Sequence, residues 1–195
     1  MSTNRKTAVI TGVIFIIATL MGPILAAPLL PALTGTDYLT QVSAHPNQAA
    51  IGVLLMIIGY LACAGIAVVM YPVLKKWNTG LAIGSVVFRT IETAFYMVGL
   101  VSLMSLLTLG QQFTTAAAAD RTSLQAIGNL LVSIRDHAAL LAVFAFCLGA
   151  FMYYYLFFQS QLIPRWLSGF GIVAIALMLV ACVLALFSGN RITSY

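Results

Sequence analysis

The run from Leu81 to Leu109 contains only two charged residues, Arg89 and Glu92. A stretch this long and this poor in charge is typical of a membrane-spanning helix, which needs roughly 20 apolar residues. The whole chain has the same character, because 62% of its residues are hydrophobic and only 7% are charged. Soluble proteins carry about a quarter charged residues. The composition therefore predicts a polytopic membrane protein.

Five apolar runs predict an all-α transmembrane helical bundle that forms a single domain over residues 1–195. The predicted spans are about residues 7–30, 49–74, 81–109, 136–158 and 166–187. The first run is longer than the 7–15 residue core of a signal peptide, and Pro28 would follow the cleavage position, so we interpret it as a span. Pro23 predicts a kink within it.

Two connections are predicted to contain a short interfacial helix. Asp37 to Val42 is the first, and His45-Pro46 is expected to stop it. Gln111 to Ser133 is predicted to be the longest connection in the chain. Apolar residues recur at helical spacing within it, which predicts an amphipathic helix from Ser123 onward that lies on the bilayer or leads straight into the fourth span.

The basic residues that flank the spans predict the orientation. One side collects Arg5, Lys6, Lys75, Lys76 and Arg165. The other side has Arg121 and Arg191, with Arg135 near that boundary. This excess favours an N-terminus inside and a C-terminus outside. Trp77, Trp166 and the run Tyr153–Tyr155 fall at the proposed inner interface, which suits amphipathic rings.

A polar stripe lies on the third span. Ser85, Arg89, Glu92 and Tyr96 are spaced i, i+4, i+7 and i+11, which places them on one helical face. Each charged group costs about 2.5–3.5 kcal/mol in hydrocarbon, so this face should point into the bundle. Two interpretations stay open. The pair binds a polar solute or relays protons through Glu92, or the two charges neutralise each other and hold the helices in register.

A second polar cluster, Arg135, Asp136 and His137, stands at the outer end of the fourth span. We interpret it as an interfacial anchor with Asp136 near a helix start, in preference to a binding site. The only other histidine, His45, lies in a loop, so neither a metal site nor a cofactor is predicted. Cys63, Cys147 and Cys182 lie in apolar runs and are predicted to be buried free thiols.

No catalytic motif is found in the chain. It has no GxSxG, P-loop or GxGxxG sequence, so no catalytic residue is predicted and an enzyme is the least favoured class. The nine Lys and Arg residues are scattered in ones and twos, which excludes the basic stripe of a nucleic-acid-binding protein.

Several motifs together resemble the bacterial membrane-protein family DUF4386, a domain of unknown function. They are Gly65–Ala67, Tyr71–Lys76, Gly80–Ala82, Phe88–Glu92, Phe146–Tyr155 and Leu162–Gly169. The resemblance covers nearly the whole chain and implies a multi-pass protein of the bacterial cytoplasmic membrane, without an established activity. Arg89 and Glu92 match the family's motif, which implies no role for them. The family often has an aromatic residue where His137 stands here.

Three functional hypotheses follow. The first is a non-enzymatic binding or accessory protein whose partners are the lipid bilayer and a small polar ligand, a partner membrane protein or a second copy of the chain. The second is a transporter of protons or a small solute that uses Glu92. The third is an intramembrane enzyme, which would need a nucleophile, a base or metal ligands to converge in three dimensions.

Overall fold

The computed structural model describes residues 3–31, 33 and 37–188. Within them the chain forms helices and no strands. The elements are α1 (Thr3–Thr19), a π-helical turn (Leu20–Ala26), a 3-10 turn (Ala27–Leu29), α2 (Tyr38–Ala44), α3 (Pro46–Leu74), α4 (Thr79–Thr115), α5 (Ala118–Ser160) and α6 (Arg165–Ser188). Five of these segments are long and apolar enough to cross a membrane. The predicted all-α fold with five spans is confirmed.

The first span is distorted where the sequence predicts it. Pro23 lies inside the π-helical turn that follows α1. Proline removes one helix hydrogen bond and its ring clashes with the preceding turn, so the wider turn accommodates it. The helix ends at Leu30, whose backbone is extended. The predicted short helix between the first two spans is also confirmed as α2, and Pro46 begins α3 directly after His45.

The prediction of a long connection over Gln111 to Ser133 is wrong. α4 continues to Thr115 and α5 already begins at Ala118, so only residues 116 and 117 join them. Hydropathy marks where an apolar segment ends, whereas alanine and glutamine continue a helix readily in water. The helices α4 and α5 therefore extend beyond the predicted spans 81–109 and 136–158, and the amphipathic segment leads straight into the fourth span.

The chain divides into two compact units, each assembled from discontinuous segments. The first takes in residues up to Ile16, Ala62–Phe95 and the residues from Leu140 onward. Its helices α4 and α5 run antiparallel, because Gly84 lies against Met152 while Gly149 lies against Phe88. That register sets which α5 side chains meet the polar face of α4.

The second unit consists of Ile17–Leu61 and Tyr96–Ala139. Its buried core is dominated by large apolar side chains: Leu33, Tyr38, Leu39, Val42, Val53, Leu100, Leu103, Leu106, Leu109 and Val132. The short helix α2 lies close to two glycines, with the Leu39 carbonyl against Gly110 and the Tyr38 hydroxyl against Gly128. The absence of a side chain at both positions lets α2 pack directly on α4 and α5.

Candidate functional site

The polar face of α4 within the first unit is the candidate site. It carries Ser85, Arg89 and Glu92, and all three side chains are largely buried. The start of α4 is capped by Asn78, whose side-chain oxygen accepts a hydrogen bond from the Leu81 N–H at 3.0 Å. A capped, regular helix fixes the spacing of the three polar side chains on one face.

Arg89 and Glu92 form an ion pair along this face. Arg89 Nη1 lies 2.7 Å from Glu92 Oε2, and the two side chains are only 12% and 7% exposed. Their i, i+3 spacing makes them neighbours on the helix surface. In a low-dielectric interior, removal of either partner would leave the other charge buried and uncompensated, which is strongly destabilising.

Neighbouring helices of the first unit contact the Arg89 side chain. The guanidinium carbon lies 5.1 Å from the centre of the Phe146 ring on α5, at cation–π distance. Gly149, one turn further along α5, leaves room for the Arg89 stem, because a Cβ there would lie 3.5 Å from Arg89 Cδ. On α3, Cys63 lies close enough to Arg89 for its thiol to interact with the arginine charge. The arginine therefore ties three helices together.

Two polar atoms of this centre accept or donate no hydrogen bond among the described residues. They are Glu92 Oε2 and the Tyr153 hydroxyl. The 2.7 Å contact to Oε2 is a close charge contact, but the Arg89 N–H groups do not point at that oxygen well enough to donate. The Ser85 hydroxyl donates to the Ala82 carbonyl at 2.8 Å. The centre thus combines one satisfied charge pair with spare hydrogen-bonding capacity.

Tyr96, the fourth member of the predicted stripe, belongs to the second unit. There its ring stacks on Tyr60, with the ring centres 4.4 Å apart and the planes 5° from parallel. Its ring therefore contributes aromatic packing between α4 and α3. A shared role with Arg89 and Glu92 stays a prediction.

The predicted outer cluster makes local contacts along α5. Arg135 Nη1 lies 3.8 Å from Asp136 Oδ1, with side chains 39% and 28% exposed. Ser133 Oγ lies 3.3 Å from His137 Nδ1, one turn away on the same helix. An exposed pair of this kind contributes little to stability. The expectation that Asp136 stands near a helix start is wrong, because α5 already begins at Ala118 and Asp136 lies well inside it. The role of the cluster as an anchor stays a prediction.

The described residues contain no group of three His, Cys, Asp or Glu side chains that could hold a metal ion. All three cysteines are free, and Cys147 and Cys182 are buried as expected, while Cys63 is partly exposed. Sequence reasoning missed Phe146, Gly149 and Tyr153 as neighbours of the polar centre. These residues could be identified only from the register of α4 against α5, and hydropathy contains no information on that register.

One comparison with known proteins gives a match. A family model described as "Domain of unknown function (DUF4386)" matches residues 10–194, nearly the whole chain. No curated protein and no solved structure matches it.

Proposed function

The chain belongs to the DUF4386 family, and we propose that it is a non-enzymatic multi-pass membrane protein of the binding or accessory class. The observation that carries this proposal is the buried ion pair of Arg89 and Glu92, in which each charge is neutralised three residues away on the same helix. A carboxylate held at 2.7 Å from a guanidinium has its partner in place and needs no substrate cation to compensate it.

The contacts of Arg89 support a structural role for the pair. α5 contributes Phe146 and Gly149, and α3 contributes Cys63, so the guanidinium holds three helices of the first unit in one register. Polar interactions between membrane helices stabilise association where apolar surface cannot, because lipid is as apolar as the side chains. Function then lies on the surfaces that face the bilayer and other molecules, with a small polar ligand, a second membrane protein or another copy of the chain as partner.

A second candidate is a transporter of protons or a small solute that uses Glu92. It is favoured by the two buried polar atoms, Glu92 Oε2 and the Tyr153 hydroxyl, that make no hydrogen bond among the described residues. Ionisable residues within membrane spans commonly mark ion and proton pathways.

For location, we propose the bacterial cytoplasmic membrane, with the N-terminus inside and the C-terminus outside. The support is the distribution of basic residues. Five of them flank the spans on the side of the N-terminus, and cytoplasmic loops carry the excess of Lys and Arg.

Replacement of Glu92 by Gln separates the two candidates. If the pair is structural, Glu92→Gln lowers the free energy of unfolding of the purified protein by about 3–5 kcal/mol, because the Arg89 charge stays buried without its partner. Reconstituted wild-type protein then passes no more protons than empty vesicles do when a pH gradient is applied. Asp120→Asn is the matched control, because Asp120 is exposed in the first turn of α5 and loss of its charge there should cost no more than about 1 kcal/mol.

The transporter candidate gives the opposite pattern. The wild type would carry a pH-driven proton flux that Glu92→Gln abolishes and Asp120→Asn retains, while the free energy of unfolding of Glu92→Gln stays near the wild-type value. That pattern would contradict the structural role.

A further inference from the structure

Five of the nine basic residues of the chain converge on one end of the first unit. The first span and α3 run antiparallel, because Gly65 lies against Ile14 while Gly59 lies against Gly22. This direction brings Arg5 and Lys6 to the end of α3 where Lys75 and Lys76 stand. α4 and α5 are antiparallel too, with Gly84 against Met152. The end of α5, and with it Arg165 at the start of α6, therefore lies where α4 begins. We call Arg5, Lys6, Lys75, Lys76 and Arg165 the basic end.

The basic end is exposed and has no compensating acid. All five side chains are exposed. The chain has four acidic residues in total. Three of them, Asp37, Asp120 and Asp136, belong to the second unit, and the fourth, Glu92, is buried against Arg89. The positive charge of the basic end is thus not neutralised within the described part of the first unit.

Aromatic rings stand among these cations. Both tryptophans of the chain are here, with Trp77 53% and Trp166 75% exposed. Lys75 Nζ lies 5.5 Å from the centre of the Tyr71 ring, and the guanidinium carbon of Arg165 lies 5.7 Å from the centre of the Phe158 ring. Exposed tryptophans next to spanning helices sit at the level of the lipid headgroups. A bilayer that surrounds the apolar helices would therefore place the cations of the basic end level with its headgroups.

We propose that the basic end binds the anionic headgroups of phospholipids and enriches such lipids around the first unit. The partner is a lipid because the cations flank apolar helices and lie level with interfacial tryptophans, within reach of headgroup phosphates. Clusters of Lys and Arg directly next to membrane spans attract anionic lipids, and the attraction falls off within a Debye length. The surface does not depend on the role of Glu92.

The position of the two tryptophans provides the test. The full-length protein is reconstituted in vesicles of phosphatidylglycerol and phosphatidylcholine mixed one to one. Two preparations have the same composition but differ in which lipid carries bromine atoms high on its acyl chains. Bromine quenches tryptophan fluorescence on contact, so the two preparations compare the lipids that lie beside Trp77 and Trp166.

For the wild type we expect quenching by brominated phosphatidylglycerol to report at least about a twofold enrichment over phosphatidylcholine at low salt. The enrichment should disappear near 1 M salt, where the Debye length is about 3 Å. The double variant Lys75→Gln/Lys76→Gln should reduce the enrichment. Arg121→Gln should leave it unchanged, because Arg121 lies in the second unit, against Phe113.

Equal quenching by the two brominated lipids in the wild type would overturn the proposal, and this result needs no variant to fold. An enrichment that Lys75→Gln/Lys76→Gln leaves intact would also overturn it, since the selectivity would then arise elsewhere. If the basic end instead binds an acidic protein segment, the two brominated lipids should quench equally, because the basic end would then not select between lipids.

Discussion

The two units of the molecule satisfy their polar groups in different ways. In the first, Arg89 and Glu92 pair within one helix, three residues apart. In the second, neutral groups pair across long separations. Tyr38 donates to Asn129 Oδ1 at 2.9 Å, and Ser102 donates to the Leu131 carbonyl at 2.6 Å. A buried charge is stable only with its counter-charge at hand, whereas a hydroxyl can use any acceptor that packing brings near.

The difference extends to how each unit brings its helices together. Around Arg89, a long flexible side chain spans the gap to α5, and Gly149 makes room for it. In the second unit, α2 lies directly on the backbone at Gly110 and Gly128. Close backbone approach leaves less freedom to adjust than a flexible side chain does. The contact of α2 with Gly110 should therefore be sensitive to added volume, and the Arg89 centre to altered charge.

Gly110→Ala should have the larger of the two effects expected in the second unit. The new Cβ would lie 2.7 Å from the Leu39 carbonyl oxygen, a backbone atom, so α2 must shift. We expect a loss of about 1–3 kcal/mol in the free energy of unfolding, the usual range for overpacking. Chemical denaturation of the purified protein measures it.

Gly169→Ala is the matched control for that substitution. Apart from its chain neighbours and the nearby backbone of its own helix, no atom lies within 4 Å of a Cβ at this position. Alanine favours a helix by about 1 kcal/mol relative to glycine, so stability should stay the same or rise. If Gly110→Ala behaved like Gly169→Ala, α2 would not be packed against α4 as described.

Tyr38→Phe should have the smaller effect. The substitution removes one hydrogen bond, but Asn129 Oδ1 still accepts one from Gln125 at 3.3 Å and is not left unpaired. We expect a loss of about 1 kcal/mol in the free energy of unfolding at neutral pH. Tyr155→Phe is the control, since the Tyr155 hydroxyl pairs with Gln159 at an exposed position, and it should cost less.

The stabilities of the wild type and of Tyr38→Phe should respond differently to high pH. Burial raises the pKa of Tyr38 in the folded protein above its ordinary value of 10.0. The folded state then keeps its proton after the unfolded chain has lost it, so this contribution to stability is complete below pH 10 and falls as pH rises from there. The gap between wild type and Tyr38→Phe should narrow above pH 10. A constant gap would contradict the burial of this hydroxyl.

The sequence predicts the fold well where hydropathy is the deciding signal. Five apolar runs, the distortion at Pro23 and the stop at His45-Pro46 all follow from local chemistry. The connection over Gln111 to Ser133 could not be predicted in this way. α4 has 37 residues and is about 55 Å long at 1.5 Å per residue. This helix is longer than the thickness of a hydrocarbon core, about 30 Å, so the end of the apolar run is not the end of the helix.

The candidate site, too, can be predicted from the sequence only where local geometry decides it. The pairing of Arg89 with Glu92 can be predicted because both lie on one helix at a spacing fixed by its geometry. The Phe146 ring and the space at Gly149 depend on how α5 is aligned against α4, and single-sequence periodicity does not encode that register. The stacking of Tyr96 on Tyr60 cannot be predicted for the same reason, since the two residues lie on different helices.

A double-mutant cycle on the ion pair tests the central claim most directly. Arg89→Met and Glu92→Leu, alone and together, replace the charged side chains by apolar ones, and denaturation of the four purified proteins gives the free energies of unfolding. Each single substitution should cost about 3–5 kcal/mol, and the double substitution should cost less than either, because no charge then stays buried without a partner. Additive losses would contradict the account, since they would mean that the two charges do not stabilise each other.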